Sequence, residues 1–423
     1  MVKKSLTLDI FFEKGAEVEK PIQKREFQKP YKLPRGWKWV KLGSIARISA
    51  GGTPKRSIKE YWNGNIPWVK ISDIPEHGLV LDTEEKITEE GLKNSSAKIF
   101  PKGTILFSIF ATIAKVGILG IDAATNQAIA GIQIKNTQIV DRKYLFYCLK
   151  NFGLTLAKIG RGMAQRNINQ TILRNLEIPL PPLEEQKRIV ARIEELVSRV
   201  EEARRLRKLA REETEKIMQA ALHKVFSRAE EKGWKWVKLR DVLKEDRQTI
   251  NPQNYPDREF FLITMDCIES DTGRLLKIVK CRGKEIGSTK YVFNTKHILY
   301  GKLRPYLNKV YVPDREGICT TEFIPFAVVN ALREYVAFYL RRKEVVNFAM
   351  RHITGTRQPR VIIDEFLEYP IPLPTLEEQK HIVAHLDKVS KTIESLRKLQ
   401  QITDKELEKL VPAILDKAFK GEL

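Results

Sequence analysis

Cysteine is scarce in this 423-residue chain: only Cys148, Cys267, Cys281 and Cys319 occur. None forms a Cys-x-x-Cys pair or has a metal-ligand neighbour at finger spacing, which argues against a cysteine-based zinc module. They read as reduced, mostly buried thiols of a cytosolic protein. Histidine is equally rare, at six residues. His381 and His385 have helical i, i+4 spacing, but no glutamate lies between them and their repeat partners are Arg188 and Arg192. A solvated helix face is therefore expected there rather than a metal site.

The motifs of common catalysts are missing as well. There is no Gly-x-Gly-x-x-Gly after a strand and no Gly-x4-Gly-Lys-Ser/Thr, so neither a dinucleotide fold nor a phosphate loop is indicated. The Asn/Asp-Pro-Pro-Tyr/Phe tetrapeptide that holds a flipped adenine is absent; Pro181-Pro182 has leucine on both sides. Pro256-Asp257 and Pro313-Asp314 are not followed by acidic-x-Lys within thirty residues, which leaves a metal nuclease centre unsupported. Clean apolar runs are missing too. The basic start, Met1 to Lys4, precedes an apolar stretch broken by Asp9 and Glu13, which does not fit a signal peptide. Residues 103–121 approach transmembrane length with Lys115 as the only charge. Their counterpart, residues 297–312, carries Lys302, Arg304, Pro305 and Lys309, so both windows read as buried strands and the protein as cytoplasmic.

What the chain does have is positive charge and repetition. Its formal net charge is +22 and its pI about 9.7, which favours nucleic acid or an anionic surface as partner. The bland alternative is solubility alone. Residues 183–225 hold 11 basic and 9 acidic groups, and residues 376–423 hold 9 of each. Nearly all of the excess therefore lies outside these two segments, in the parts expected to meet the polyanion.

Ile178-Pro179-Leu180-Pro181-Pro182-Leu183-Glu184-Glu185-Gln186-Lys187 recurs 193 positions later as Ile371-Pro372-Leu373-Pro374-Thr375-Leu376-Glu377-Glu378-Gln379-Lys380. Gly36-Trp37-Lys38-Trp39-Val40-Lys41-Leu42 recurs 197 positions later as Gly233-Trp234-Lys235-Trp236-Val237-Lys238-Leu239, a half-buried strand pattern. Tyr144 to Tyr147 match Tyr335 to Phe338 on short amphipathic helices, and residues 162–167 match 355–360. Strand signals dominate each module, so a mixed sheet with a few helices is expected. After each Pro-rich turn the period changes. Ile189, Ile193, Leu196, Val200 and Ala203 form a helical seam, as do Ile382, Leu386, Val389, Ile393 and Leu396, with Leu407, Leu410 and Ile414 beyond. Arg207 and Gln400 share one seam position, which suggests that the helices pack on each other and fix register there; the alternative is that each seam packs on its own module. Each helix could reach roughly 65 Å at 1.5 Å per residue. The division is a 1–34 extension, modules at 35–182 and 226–375, and helices at 183–225 and 376–423.

Binding features cluster in loops. Gly51-Gly52-Thr53-Pro54-Lys55-Arg56 offers backbone donors, a hydroxyl and two cations to phosphates, followed by Trp68; the alternative is an ordinary turn. Lys115 is counted with this set. Arg161, Gln165, Arg166 and Asn167, and in the second module Arg357, Gln358 and Arg360, include side chains able to grip adenine or guanine edges. Lys302, Arg304, Tyr306, Asn308 and Lys309 interleave cations with an aromatic and an amide. The modules agree in their scaffold turns and differ most in these loops, as two readers with different targets would.

These features resemble the specificity (S) subunit of type I restriction–modification systems. The two Ile-Pro-Leu-Pro turns entering long helices, the Gly51 to Pro54 loop and the Trp62 to Val69 segment carry the resemblance, which runs from about Gly36 onward. It implies an α/β, mixed-sheet target-recognition domain in two copies, separated by two long antiparallel coiled-coil-like helices in a pseudo-two-fold arrangement. It implies a non-catalytic reader of double-stranded DNA, each module taking half of a bipartite site. Two methylation (M) subunits would bring S-adenosylmethionine and adenine chemistry, and restriction (R) subunits would add ATP- and magnesium-dependent cleavage. The second module departs from the pattern: residues 246–252 stand where the Gly-Gly-Thr-Pro loop would be. Residues 1–34 match nothing in the family; its often circular arrangement would set them beside the C-terminal helix. The rival readings are an enzyme acting alone and a structural or RNA-binding spacer.

Overall fold

A computed structural model describes residues 31–76, 78–109, 115–159 and 168–423. The chain divides into two units, Met1–Arg204 with Lys405–Leu423, and Arg205–Asp404.

In the first unit, Ala46–Ala50, Ile129–Ile134, Ile105–Ser108, Val116–Leu119 and Leu79–Val80 form a five-stranded sheet in that order. Only its last pair is parallel. A second sheet orders Glu85–Ile87, Trp62–Val69, Ala123–Thr125 and Ile99–Phe100, with Trp68 opposite Ala124 in a parallel pair. The expected mixed sheets are therefore present, and the described strands of the apolar window around Lys115, Ile105–Ser108 and Val116–Leu119, are largely buried in them. Among the described residues no helix is long and apolar enough to cross a membrane.

The second unit follows the same plan. Leu243–Glu245, Phe323–Val328, His297–Gly301 and Val310–Tyr311 form one sheet. Thr249–Ile250, Lys290–Phe293, Gly317–Cys319, Glu259–Ile263 and Val279–Arg282 form the other, again with one parallel pair, Leu262 opposite Ile318.

The two sequence repeats meet each other inside each module. Lys38–Lys41 pairs antiparallel with Glu177–Leu180, setting Trp39 opposite Pro179. Lys235–Lys238 pairs with Pro370–Leu373, setting Trp236 opposite Pro372. The pairs end at Leu180 and Leu373; Pro181-Pro182 and Pro374 follow, and since proline cannot donate to a ladder the chain turns there into a helix. A buried glutamine then stitches the turn. Gln186 accepts from the Asp141 N–H at 2.8 Å and donates to the Ile139 and Pro181 carbonyls, each at 2.9 Å. Gln379 accepts from the Leu332 N–H at 2.8 Å and donates to the Pro374 carbonyl at 2.9 Å. Tyr144 and Tyr335 donate to the Pro179 and Pro372 carbonyls at 2.6 Å each.

The first long helix spans Leu183–Phe226 and the second Leu376–Lys420, each opening on two glutamates that suit a helix N-terminus. Their apolar ends are claimed by the modules. Ile189 and Ile193 share the first unit's core with Leu415, Ala418 and Phe419. Leu222 and Phe226 share the second unit's core with Leu386. Each unit thus holds the start of one helix and the end of the other, running antiparallel. The apolar seam read from the sequence is not continuous: Leu396 and Leu410 are exposed, because the middle of the pair is polar. The last described residues of the N-terminal extension lie at the end of the second helix, where Tyr31 donates to the Phe419 carbonyl at 2.7 Å.

Candidate nucleic-acid interface

The Gly51 loop owes its shape to close backbone approach. Gly51 N–H donates to the Ile129 carbonyl at 3.1 Å and Gly52 N–H to the Thr125 carbonyl at 2.9 Å. A Cβ on Gly51 would stand 2.2 Å from the Thr125 carbonyl, and one on Gly52 2.3 Å from the Ser96 backbone. Only glycine fits at either place. Trp68 is buried, and its indole N–H donates to the Gly52 carbonyl at 2.9 Å. Trp68, Gly51 and Gly52 therefore build the base of the loop.

Outside this base the side chains form a network. Thr53 bonds the Gln127 amide. Arg56 lies 3.9 Å over the Trp62 ring and is ion-paired with Glu85, while Trp62 packs edge-on to Trp68 at 5.0 Å. Lys70 bridges Glu84 at 2.6 Å and Glu85 at 2.8 Å. The Arg56 guanidinium, followed by Lys70, holds the Glu85 carboxyl below its ordinary range. Arg56 is thus already engaged by an aromatic face and a carboxylate. Lys55 is exposed at the loop tip, and Lys59, which sequence reasoning passed over, is exposed behind it. Lys115 is half-buried, its ammonium donating to the Ile71 carbonyl at 3.1 Å. Arg161, Gln165, Arg166 and Asn167 lie outside the described residues.

In the second module the structure joins two segments that the sequence nominated separately. The Arg304 N–H donates to the Pro359 carbonyl at 2.7 Å and the Val361 N–H to the Lys302 carbonyl at 3.0 Å. Leu303 and Arg360 form a bridge, and Ile353–Thr354 pairs with Arg360–Val361 to make a hairpin. Arg304, Arg357, Gln358 and Arg360 are all exposed there. Burial lowers the pKa of Lys302, and the nearby Arg247 and Arg360 guanidinia push it the same way against Glu322 and Glu245. A cation destabilised by neighbouring cations marks a locus that an anion would stabilise. Arg247 was missed by sequence reasoning; its place in the segment standing for the Gly-Gly-Thr-Pro loop was the available signal.

Other nominated residues are turned inward. Asn308 is buried, its amide donating to Asp271 and to the Arg341 carbonyl, both at 2.9 Å. Its left-handed backbone, φ 48°, is one that asparagine tolerates well, so its role is to shape the turn. Lys309 donates to the Met265 carbonyl, and burial lowers its pKa. Tyr306 is half-exposed but lines a cavity of about 850 Å³ between the module and the long helices of its own unit. His381 and His385 are exposed, and among the described residues no cluster of histidine, cysteine and acidic side chains could hold a metal.

The model of the type I restriction modification DNA specificity domain matches residues 34–211 and again 231–404. The chain belongs to this family. It is a DNA sequence-recognition subunit of a restriction–modification system, not a catalytic one. It is 27% identical to the type I restriction enzyme MjaIX specificity subunit of Methanocaldococcus jannaschii, over 90% of this chain and 94% of that protein. It is 21% identical to the EcoDI specificity subunit of Escherichia coli, over 93% and 90% respectively. Among solved structures, the HsdS subunit from Thermoanaerobacter tengcongensis superposes with TM-score 0.62 at 27% identity, over 93% of this chain and 99% of that one. A chain from work on complex assembly and conformational transition of the type I R-M system superposes with TM-score 0.72 at 26% identity, over 93% and 100%.

Proposed function

We propose that this specificity subunit reads an asymmetric, bipartite DNA site, one half with each module, and that its long helices set the gap. The observation that carries this reading is the duplicated frame with unlike loops. Matching proline-rich turns recur in both modules, while one module carries Lys55 and Lys59 beside a Trp–Arg–Glu network and the other Arg247, Lys302, Arg304, Arg357, Gln358 and Arg360 around a hairpin. Arg and Gln at the hairpin suit base edges, and the lysines suit phosphates. The division at 35–182, 183–225, 226–375 and 376–423 separates reading modules from spacers.

The partners are two methylation subunits that carry S-adenosylmethionine and modify adenine, with ATP- and magnesium-dependent restriction subunits joining them. Duplicated exposed apolar residues on the helices support a partner present twice: Leu206 and Leu399, Leu209 and Ile402, and Ile217 and Leu410 occupy matched positions. Such side chains, three and eleven positions apart on one helix face, favour a protein surface over water.

Single-molecule mapping of methylated adenine in the host genome tests the proposal. One motif with two different halves and a fixed gap is expected. Inserting one heptad in both helices should change the gap and leave each half intact; an altered half-site would refute the spacer role. Duplex binding should weaken with salt at a log–log slope of about −0.9 per phosphate contact.

A further inference from the structure

The middle of the helix pair is polar, and its composition is unlike on the two helices. All of the residues concerned lie in the second unit. Arg207 donates to the Gln400 carbonyl at 2.9 Å and to the Thr403 hydroxyl. Gln400 donates back to the Thr214 hydroxyl at 2.9 Å and the Ala210 carbonyl at 3.3 Å. Asp404 is ion-paired with Arg211, and its other oxygen lies 3.6 Å from Arg207 Nε. The Arg207 and Asp404 side chains are only 28% and 21% exposed, so water screens them incompletely.

The repeat makes this arrangement informative. Arg207 and Gln400 are matched positions, 193 residues apart, and so are Arg211 and Asp404. Matched residues therefore face each other across the antiparallel pair. Two first helices paired in the same way would bring Arg211 against Arg211 and Arg207 beside Arg207. Two second helices would bring Asp404 against Asp404. Each like pairing leaves charges of one sign together in a partly dry layer, whereas the unlike pairing sets opposite charges together.

We infer that this layer selects helix partners: it admits a first helix only against a second, and rejects symmetric pairing between copies of the subunit. Because one chain carries both helices at high effective concentration, the accepted pair forms within a chain. Specificity of this kind requires an unfavourable alternative as well as a favourable contact, and the duplication that created two matched helices also created that alternative. The consequence is one copy of each reading module per subunit.

The test uses the full chain and needs no DNA, so its failure would leave the DNA-reading proposal standing. R211D puts a carboxylate opposite Asp404, and D404R puts a guanidinium opposite Arg211. Each single variant should unfold at a lower temperature, and the R211D/D404R exchange should restore the wild-type midpoint. The decisive measurement is co-purification of two differently tagged chains expressed together. Two wild-type chains should not capture each other. An R211D chain and a D404R chain should do so at least tenfold above that control, since exchange between them pairs unlike charges twice. Should either single variant fail to fold alone, co-expression should recover it. No capture above the control, whatever the midpoints, overturns the inference.

Discussion

In the first module Gln186 closes the proline turn with three hydrogen bonds; in the second Gln379 does the same work with two. Tyr144 and Tyr335 make the same bond to the same carbonyl of the turn. A few strands away the likeness ends. The first module presents a glycine loop whose cation is stacked on tryptophan and ion-paired, and the second a hairpin with four exposed polar side chains and Lys302 among cations. What differs teaches where selection has been free to act. A buried amide with fixed partners cannot change without leaving backbone groups unpaired, whereas an exposed arginine can.

The comparison can be broken at the frame first, where effects are largest. Q186L removes three hydrogen bonds from a fully buried site and should destabilise the first unit by about 3 kcal/mol, at roughly 1 kcal/mol each. Q379L should cost about 2 kcal/mol by the same reckoning. Chemical denaturation of each variant measures both, and equal losses would show that the two turns are not stitched as drawn.

Next come the loops. R360A should weaken duplex binding by about 1–3 kcal/mol, roughly 5- to 150-fold, and relax one position in the half-site read by the second module. An unchanged methylation motif would remove Arg360 from the reading set. K55A should weaken binding evenly across sequences and lower the salt slope by about one unit. A sequence-dependent loss would instead make Lys55 a base reader.

The smallest effect is on acid stability. Arg56 and Lys70 hold Glu85 below its ordinary value of 4.5 in the folded state, so the ion pairs contribute above that value. Their contribution fades as pH falls through the depressed folded value. E85Q should therefore narrow the loss of stability between pH 5 and lower pH, by an amount kept modest by solvent screening. Parallel acid titrations of the wild type and E85Q, followed by tryptophan fluorescence of Trp62 and Trp68, would show it.

Much of the frame was legible in the sequence because it is written twice. The paired segments around Trp39 and Pro179 share one alternation, and a change from period two to a helical period marks the entry to each long helix. The reading loops were legible as composition only. Gly51, Gly52, Trp68 and Asn308 have the chemistry of contact residues, yet close backbone packing and buried hydrogen bonds give them structural work. Burial of this kind depends on residues such as Ser96, Thr125 and Asp271, far away in the chain, and so leaves no local trace. Arg247 was missed for the converse reason: alone in its segment it is one arginine among many, and it becomes notable only beside Lys302 and Arg360.

By itself the sequence determined the duplication, the near-neutral helices and the basic excess of the modules, because period and charge are properties of order along a chain. Only the tertiary structure decided which polar side chains face water and which face backbone. It also decided that the seam between the helices is apolar at its ends and polar in its middle. The physical reason is that helix periodicity states which residues share a face, not what covers that face. Here each module covers the helix segments of its own unit, and Arg207, Arg211, Gln400 and Asp404 are left to recognise one another within the second.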